Sequence, residues 1–271
     1  MESYIILHNH FYQISSLLSR HTQSLCDKIG VKVAGIEQIV LEDRFLPLIN
    51  PISYYSSLVM SLNAIFQNQQ KLLVCDTQSL LVLMNFFQKL YKHSDFKEMI
   101  SQACKGVDLS SLEDSFVFAP ELFLGSMEIT GIKRGRWKGF TCAIVFDREL
   151  EYRVKESQIL LRIESITGLK ILPFFKESYA YLLQSNPTLA YKMGAMDYYE
   201  MVDCGVDCIV MSNVGNFELM DGHTKALQNA AGRDIAEIPL LFFPQVLLAL
   251  FSDANAESLG FSAHKIKPEM F

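Results

Sequence analysis

The sequence predicts an α/β protein made of two pseudo-repeated half domains, each with a small parallel sheet flanked by helices. Three observations carry this expectation. Apolar strand-like runs alternate with helical patterns along the whole chain, an order that calls for parallel strands joined by crossover helices. The two halves open alike, with "DKIGVKV" and "ESITGLKI" each reading as a helix end, a glycine and a strand. Each half later presents a buried run that passes straight into a turn and a helix, "KLLVCDTQS" and "DCIVMSNVGN".

In order, the apolar run of "MESYIILHNHFYQ" opens the first half as a strand. Spacings of three and four at Ile14, Leu18, Leu25 and Ile29 predict a helix over 15–29, closed by Gly30, with a strand at 31–36. Pro51 starts a second helical pattern, "KLLVCD" at 71–76 is a strand buried on both faces, and Leu80, Leu83, Met84, Phe87 and Leu90 form the stripe of a third helix. Residues 94–139 are polar or irregular, which places a linker or insertion there between half domains at 1–93 and 140–271. The second half reads as the strand "GFTCAIVF", a helix over 151–167 ending at Gly168, and the strand "LKILPF". A helix from Pro187 to Asp203 follows, with Asn186 as N-cap and proline at the first helical position. The strand "DCIVM", another helix and the strand "IPLLFF" complete it.

With 271 residues, 50% of them hydrophobic and 11% aromatic, the chain can bury a sizeable core as one large domain or two small ones. A formal charge of −6 supplies no positive field for nucleic acid or anionic lipid, so nucleic acid is not an expected partner. The longest apolar stretch, "IPLLFFPQVLLALF", is interrupted by Pro244 and Gln245 and falls short of the roughly 20 residues that span a bilayer. No membrane span is expected, and an N-terminus with Glu2 in place of a positive start does not read as a signal peptide. A cytoplasmic location follows as the expectation. Six scattered cysteines indicate no disulfide framework. Cys204 and Cys208 are four apart, but the C-cap-like Gly205 between them argues against a shared helix face.

The stretch "NPTLAYKMGAMDYYEMVDCGVDCIVMSNVGNFELMD", followed by "IPLLFFPQVLLAL" and "LGFSAHK", resembles the cysteine-rich, Cys-Cys-Gly (CCG) domain proteins of the heterodisulfide-reductase-B-like family. The resemblance covers most of the chain and is clearest from Asn186 onward. In that family each half carries a Gly-Cys turn, a Cys-Cys-Gly turn and a Cys-x-x-Cys turn, whose thiolates hold an iron–sulfur cofactor at the ends of parallel strands. Here almost every ligand position is changed. Ungapped counting from Gly30 places Asn9 at the first cysteine, between His8 and His10, and Leu41, Glu42 and Asp43 at the Cys-Cys-Gly. "VCDTQS" keeps Cys75 at the first position of the later pair and offers Gln78 at the second. In the second half the equivalent turn is Asn213, Val214, Gly215 and Asn216, the second Cys-Cys-Gly falls in "SYAYLL", and the second Gly-Cys turn falls near 146–149. A cluster needs about four converging thiolates or an equivalent histidine set, so the resemblance implies a degenerate member with no iron–sulfur cluster.

His8 and His10 alternate by two and could join Glu42 or Asp43 in chelating a metal; the plainer reading is a pair of polar residues at a strand end. Asn9, Asn213 and Asn216 fit helix caps and Asx-turns, or a polar pocket for a small anion at the strand ends. "GIKRGRWKG" could dock an acidic partner or anionic ligand through Arg134, Arg136 and Lys138 with Trp137 as anchor, or be a solvated hairpin. No nucleophile elbow, P-loop or dinucleotide fingerprint occurs. The expected function is a non-catalytic, cofactor-free paralogue that serves as a structural or regulatory partner of a cluster-bearing relative or redox complex. The alternative is an enzyme or sensor that re-uses the vacant pocket for a metal or small molecule, lined by His8, His10, Glu42, Asp43, Cys75, Asn213 and Asn216.

Overall fold

The structure is a computed structural model that describes residues 2–9, 11–41, 45–127, 132, 134–234 and 237–268. The chain divides into two compact units, Met1–Leu122 and Phe123–Phe271. The first runs β1 (Ser3–His8), α1 (Ser15–Ile29), β2 (Val33–Gln38), α2 (Leu46–Ile49), α3 (Pro51–Gln67), β3 (Gln70–Val74), α4 (Thr77–Lys92), α5 (Ser94–Ala103), a 3-10 turn (Ser111–Ser115) and β4 (Phe116–Phe118). The division falls inside α6 (Ala119–Met127). The second unit runs β5 (Thr141–Asp147), a 3-10 turn (Arg148–Leu150), α7 (Glu151–Glu156), α8 (Ile159–Thr167), β6 (Lys170–Lys176), α9 (Leu182–Ser185) and α10 (Pro187–Asp203). It continues with β7 (Cys208–Met211), α11 (Val214–Phe217), a π-helical turn (Glu218–Gly222), α12 (Thr224–Ala231), β8 (Leu240–Phe242) and α13 (Phe243–Leu248).

Both units hold a four-stranded sheet with every pairing parallel, in the orders β2-β1-β3-β4 and β6-β5-β7-β8. This is the α/β architecture of two half domains that the alternating pattern predicts. The central strands are covered on both faces, which is why Tyr4–Leu7, Cys142–Phe146 and Cys208–Met211 are unbroken apolar runs rather than alternating ones. The repeat extends to local detail. Asn50 and Asn186 each cap a 17-residue helix that begins with proline, accepting from Ser53 N and Leu189 N, and each is preceded by a four-residue helical turn. Gly30 and Gly168 close α1 and α8 with φ of 73° and 82°, a left-handed conformation that glycine adopts without penalty.

The structure departs from the sequence reading in three places. Residues 94–118, expected as part of a linker, build α5, the 3-10 turn and β4, which extends the first sheet beside β3. Aromatic contacts seat them: Phe96 meets Tyr55 edge-on at 5.0 Å and Phe116 stacks on Phe87 at 5.7 Å. Further along the expected linker, Gly135 N and Trp137 N donate to Ile166 O and Thr167 O at the end of α8, so this stretch is packed into the second unit. The single helix expected over 151–167 is two, broken where Gln158 adopts a left-handed φ of 53°. Among the described residues, no helix is long and apolar enough to cross a membrane.

Candidate functional site

Open parallel sheets present ligand sites beyond the carboxyl ends of their strands, and in both units these ends carry buried polar side chains. In the first unit the chain leaves β1 at Asn9, whose side-chain oxygen accepts from Phe11 N at 3.0 Å and so forms a tight Asx-turn. Its amide nitrogen donates across the sheet end to Asp76 Oδ2 at 3.3 Å. Asp76 is the N-cap of α4: the same carboxylate oxygen accepts from Ser79 N at 3.0 Å and from Ser79 Oγ at 2.8 Å. Beside it, Thr22 Oγ1 of α1 donates to Cys75 Sγ at 3.2 Å. Burial pushes the Cys75 thiol well up, and pushes Cys26 up to about 12. Both thiols are therefore held protonated and are poor nucleophiles. His8 Nδ1 lies 2.9 Å from Ser19 Oγ.

The second unit repeats the arrangement with the partners exchanged. Asp147 ends β5, and Asn213 is the N-cap of α11 after β7. Asn213 Nδ2 donates to Asp147 Oδ1 at 2.8 Å, while Asn213 Oδ1 accepts from Asn216 N at 2.8 Å. Asn216 Nδ2 donates to Glu177 O at 3.3 Å, and its Oδ1 is buried with no hydrogen-bond partner among the described residues. One helical turn on, Asp221 Oδ2 accepts from Lys265 N at 3.1 Å, and burial raises its carboxyl to about 6. Gln245 Oε1 accepts from Phe242 N, which fixes its Nε2 as a donor to Leu259 O and to His264 Nε2 at 2.9 Å. That ring nitrogen therefore accepts and the imidazole is neutral, in keeping with burial lowering His264 to about 4.

The two capping residues set the correspondence between units. Asp76–Ser79 match Asn213–Asn216, one residue on from the pairing of Cys75 and Gln78 with that turn expected from the sequence. Cys75 instead corresponds to the buried Ser212. His8, Asn9, Cys75 and Gln78 lie in the first unit and Asn213 and Asn216 in the second. His10, Glu42 and Asp43 lie outside the described residues. In the basic stretch, Arg134 and Lys138 are exposed, but Trp137 is buried at 3% exposure against Phe140 and cannot serve as a surface anchor. Arg136 donates to Ala249 O and, at 3.5 Å, to Phe251 O, placing its charge at the carboxyl end of α13, where cations are favoured. Cys204 is exposed beyond α10, whereas Cys208 is buried in β7 opposite Cys142, so the two do not form a site.

Sequence reasoning singled out Asn9 and Asn213 but neither of their carboxylate partners. Asp76 and Asp147 each directly follow a buried apolar run, and that position was the available signal. The donor set does not fit an iron–sulfur cluster. Among the described residues the strand ends offer amides, carboxylates and hydroxyls and one thiol, Cys75, which accepts from Thr22, whereas a cluster takes about four thiolates. Among the described residues, no group of three or more His, Cys, Asp or Glu is placed to hold a metal ion.

Fold and site together define a duplicated, all-parallel α/β chain whose polar residues gather at the strand ends of each half. Residues 179–265 match the HdrB-like C-terminal domain, a similarity in keeping with the resemblance read from Asn186 onward. A crystal structure of a hypothetical protein from Helicobacter pylori is similar at a TM-score of 0.78 and 19% identity, over 97% of this chain and 52% of that one. It shows the same fold, and this chain spans about half its length. An ABC sugar transporter (periplasmic sugar binding protein) from Legionella pneumophila aligns over 89% of this chain and 80% of its own, at 9% identity and a TM-score of 0.33, too low to carry an argument. No curated protein matches.

Proposed function

We propose that this chain is a non-catalytic, cluster-free relative of the heterodisulfide-reductase-B-like proteins, acting as a structural or regulatory partner in a redox complex. The observation that carries the reading is the Asn–Asp bridge in each unit, Asn9 to Asp76 and Asn213 to Asp147. These bridges occupy the strand ends where the family resemblance implies thiolates. Each ties a turn to a helix start and satisfies the polar atoms that would otherwise be free to meet a cofactor. Oxygen and amide donors are hard ligands and suit an iron–sulfur cluster poorly. What is kept is the shape of the strand ends.

The test is iron, acid-labile sulfide and zinc content after purification without oxygen, together with sedimentation of the chain mixed with a cluster-bearing HdrB-like protein. Metal-free protein that co-sediments with the cluster-bearing protein is the expected result. Stoichiometric iron and sulfide in the chain itself would overturn the cluster-free reading, and absence of any complex would overturn the partner role. A second reading, a metal- or small-molecule-binding enzyme or sensor, is favoured by the bare buried acceptor at Asn216 Oδ1. It requires a stoichiometric ligand in the native mass of the protein that is lost in Asn216→Ala.

A further inference from the structure

The internal repeat provides a control for which surface residues the fold itself demands. The turn before each long helix is built alike, so Phe45, Leu46, Leu48 and Ile49 of the first unit stand where the second has Tyr181, Leu182, Gln184 and Ser185. Leu48 and Ile49 are 81% and 79% exposed and Phe45 is 66% exposed, with Leu46 and Ile52 close behind. Polar side chains at the matching outermost positions of the second unit show that the turn does not require leucine and isoleucine there. The contrast continues along the helices. Ser53, Ser57, Met60, Ala64 and Gln67 on the outer face of α3 are uncharged, and residues 45–70 contain no Asp, Glu, Lys, Arg or His at all. The outer face of α10 carries Lys192, Glu200 and Asp203.

The geometry points to self-association: a second copy of this chain packs its own α2 turn and α3 start against the same residues, around a two-fold axis. Five apolar side chains within eight residues are exposed, a concentration of the kind found at interaction sites. A standard interface buries roughly 1,200–2,000 Å² in total, so the contact has to extend from this patch along the uncharged outer face of α3. The charge pattern favours a copy of the same chain. A molecule of formal charge −6 repels its own kind over most of its surface, and a charge-free stretch is where two copies approach with least opposition. A two-fold contact needs a self-complementary patch, which an uncharged apolar one satisfies. The lack of basic residues in the stretch gives an anionic membrane nothing to attract. None of the strand-end residues takes part, so this contact stands or falls separately from the cluster-free reading.

The test is sedimentation velocity of the whole chain from nanomolar to tens of micromolar, beside Leu48→Glu/Ile49→Glu and the matched control Gln184→Glu/Ser185→Glu. Both target positions are highly exposed, so the variants keep the wild-type circular dichroism and melting temperature. The wild type and the control dimerise with concentration, whereas Leu48→Glu/Ile49→Glu weakens dimerisation by about 100-fold or more, as expected for charges placed at the centre of an interface. A wild type that stays monomeric throughout, or a dimer that survives Leu48→Glu/Ile49→Glu, overturns the proposal. Binding of a different protein by monomers through this face would also overturn it.

Discussion

In the first unit an amide on the turn after β1 meets a carboxylate at the helix start after β3; in the second the carboxylate is on the turn and the amide at the helix start. Topology, strand order and the capped Asn-Pro helix are otherwise the same. The exchange shows what the strand ends need. An N-cap may be Asp or Asn with little difference, because either side-chain oxygen accepts from the helix amide. What cannot vary freely is the sum: one member must supply N–H donors and the other must accept. The units also differ in how tightly the site is held, 2.8 Å in the second against 3.3 Å in the first.

The strongest way to break the comparison is Asn213→Asp, which places a second carboxylate against the buried Asp147. Near neutral pH it should cost about 4 kcal/mol, and acid should relieve it as one carboxyl takes up a proton. The double exchange Asp147→Asn/Asn213→Asp gives the second unit the polarity of the first and should recover most of the loss in urea unfolding. Failure to recover would mean that the two arrangements are not interchangeable.

The glycine caps sharpen the contrast. A Cβ on Gly168 would lie 2.7 Å from Gly135 Cα, whereas one on Gly30 would meet nothing within 4 Å. Gly168→Ala should therefore cost about 3 kcal/mol, combining the left-handed penalty with a backbone clash, and Gly30→Ala only about 1 kcal/mol. Equal melting temperatures for the two variants would show that the segment around Gly135 moves aside.

A third difference is the pair of titratable groups confined to the second unit. Asp221 is raised from 3.8 to about 6, so its protonated form is favoured by folding; this stabilises as pH falls from 6 toward 4 and is lost above 6. His264 is lowered from 6.5 to about 4, so its neutral form is favoured; this stabilises above 6.5 and is lost as pH falls toward 4. The two slopes oppose each other over the same window. Asp221→Asn removes one of them, and chemical denaturation should then show stability falling by about 2 kcal/mol more between pH 6.5 and 4 than it does in the wild type. Asn9→Ala should have an effect as small as that of Gly30→Ala, about 1 kcal/mol: it loses the turn bond from Phe11 N and the 3.3 Å contact, but Asp76 keeps both bonds from Ser79.

Features encoded by near neighbours were legible in the sequence. Pro51 and Pro187 at the start of a helical stripe, the latter with Asn186 as its cap, Gly30 and Gly168 after one, and unbroken apolar runs for doubly covered strands all follow from local chemistry and were found where expected. The three-residue β4 was not legible, being too short to show a period and held by stacking of Phe116 on a distant Phe87. Nor was the break at Gln158, since glutamine gives no sign of a left-handed turn. The site was half legible. Asn9 and Asn213 stood out as turn residues, but each partner is more than 60 positions away, and only the folded sheet brings the pairs together. Trp137 misled because a tryptophan among basic residues reads as a surface feature, while its own backbone N–H and that of Gly135 bond to the end of α8 and pin it inward.

The distribution of thiols gives the molecule a built-in clock. Of six free cysteines, Cys204 alone is exposed; Cys26, Cys75 and Cys104 are sealed in the first unit, and Cys142 and Cys208 in the second. A thiol reagent will tag Cys204 at once and reach the others only as often as each sheet opens. Peptide-resolved labelling rates thus read the opening free energy of the two halves side by side on the unmodified chain, without the need for any engineered probe.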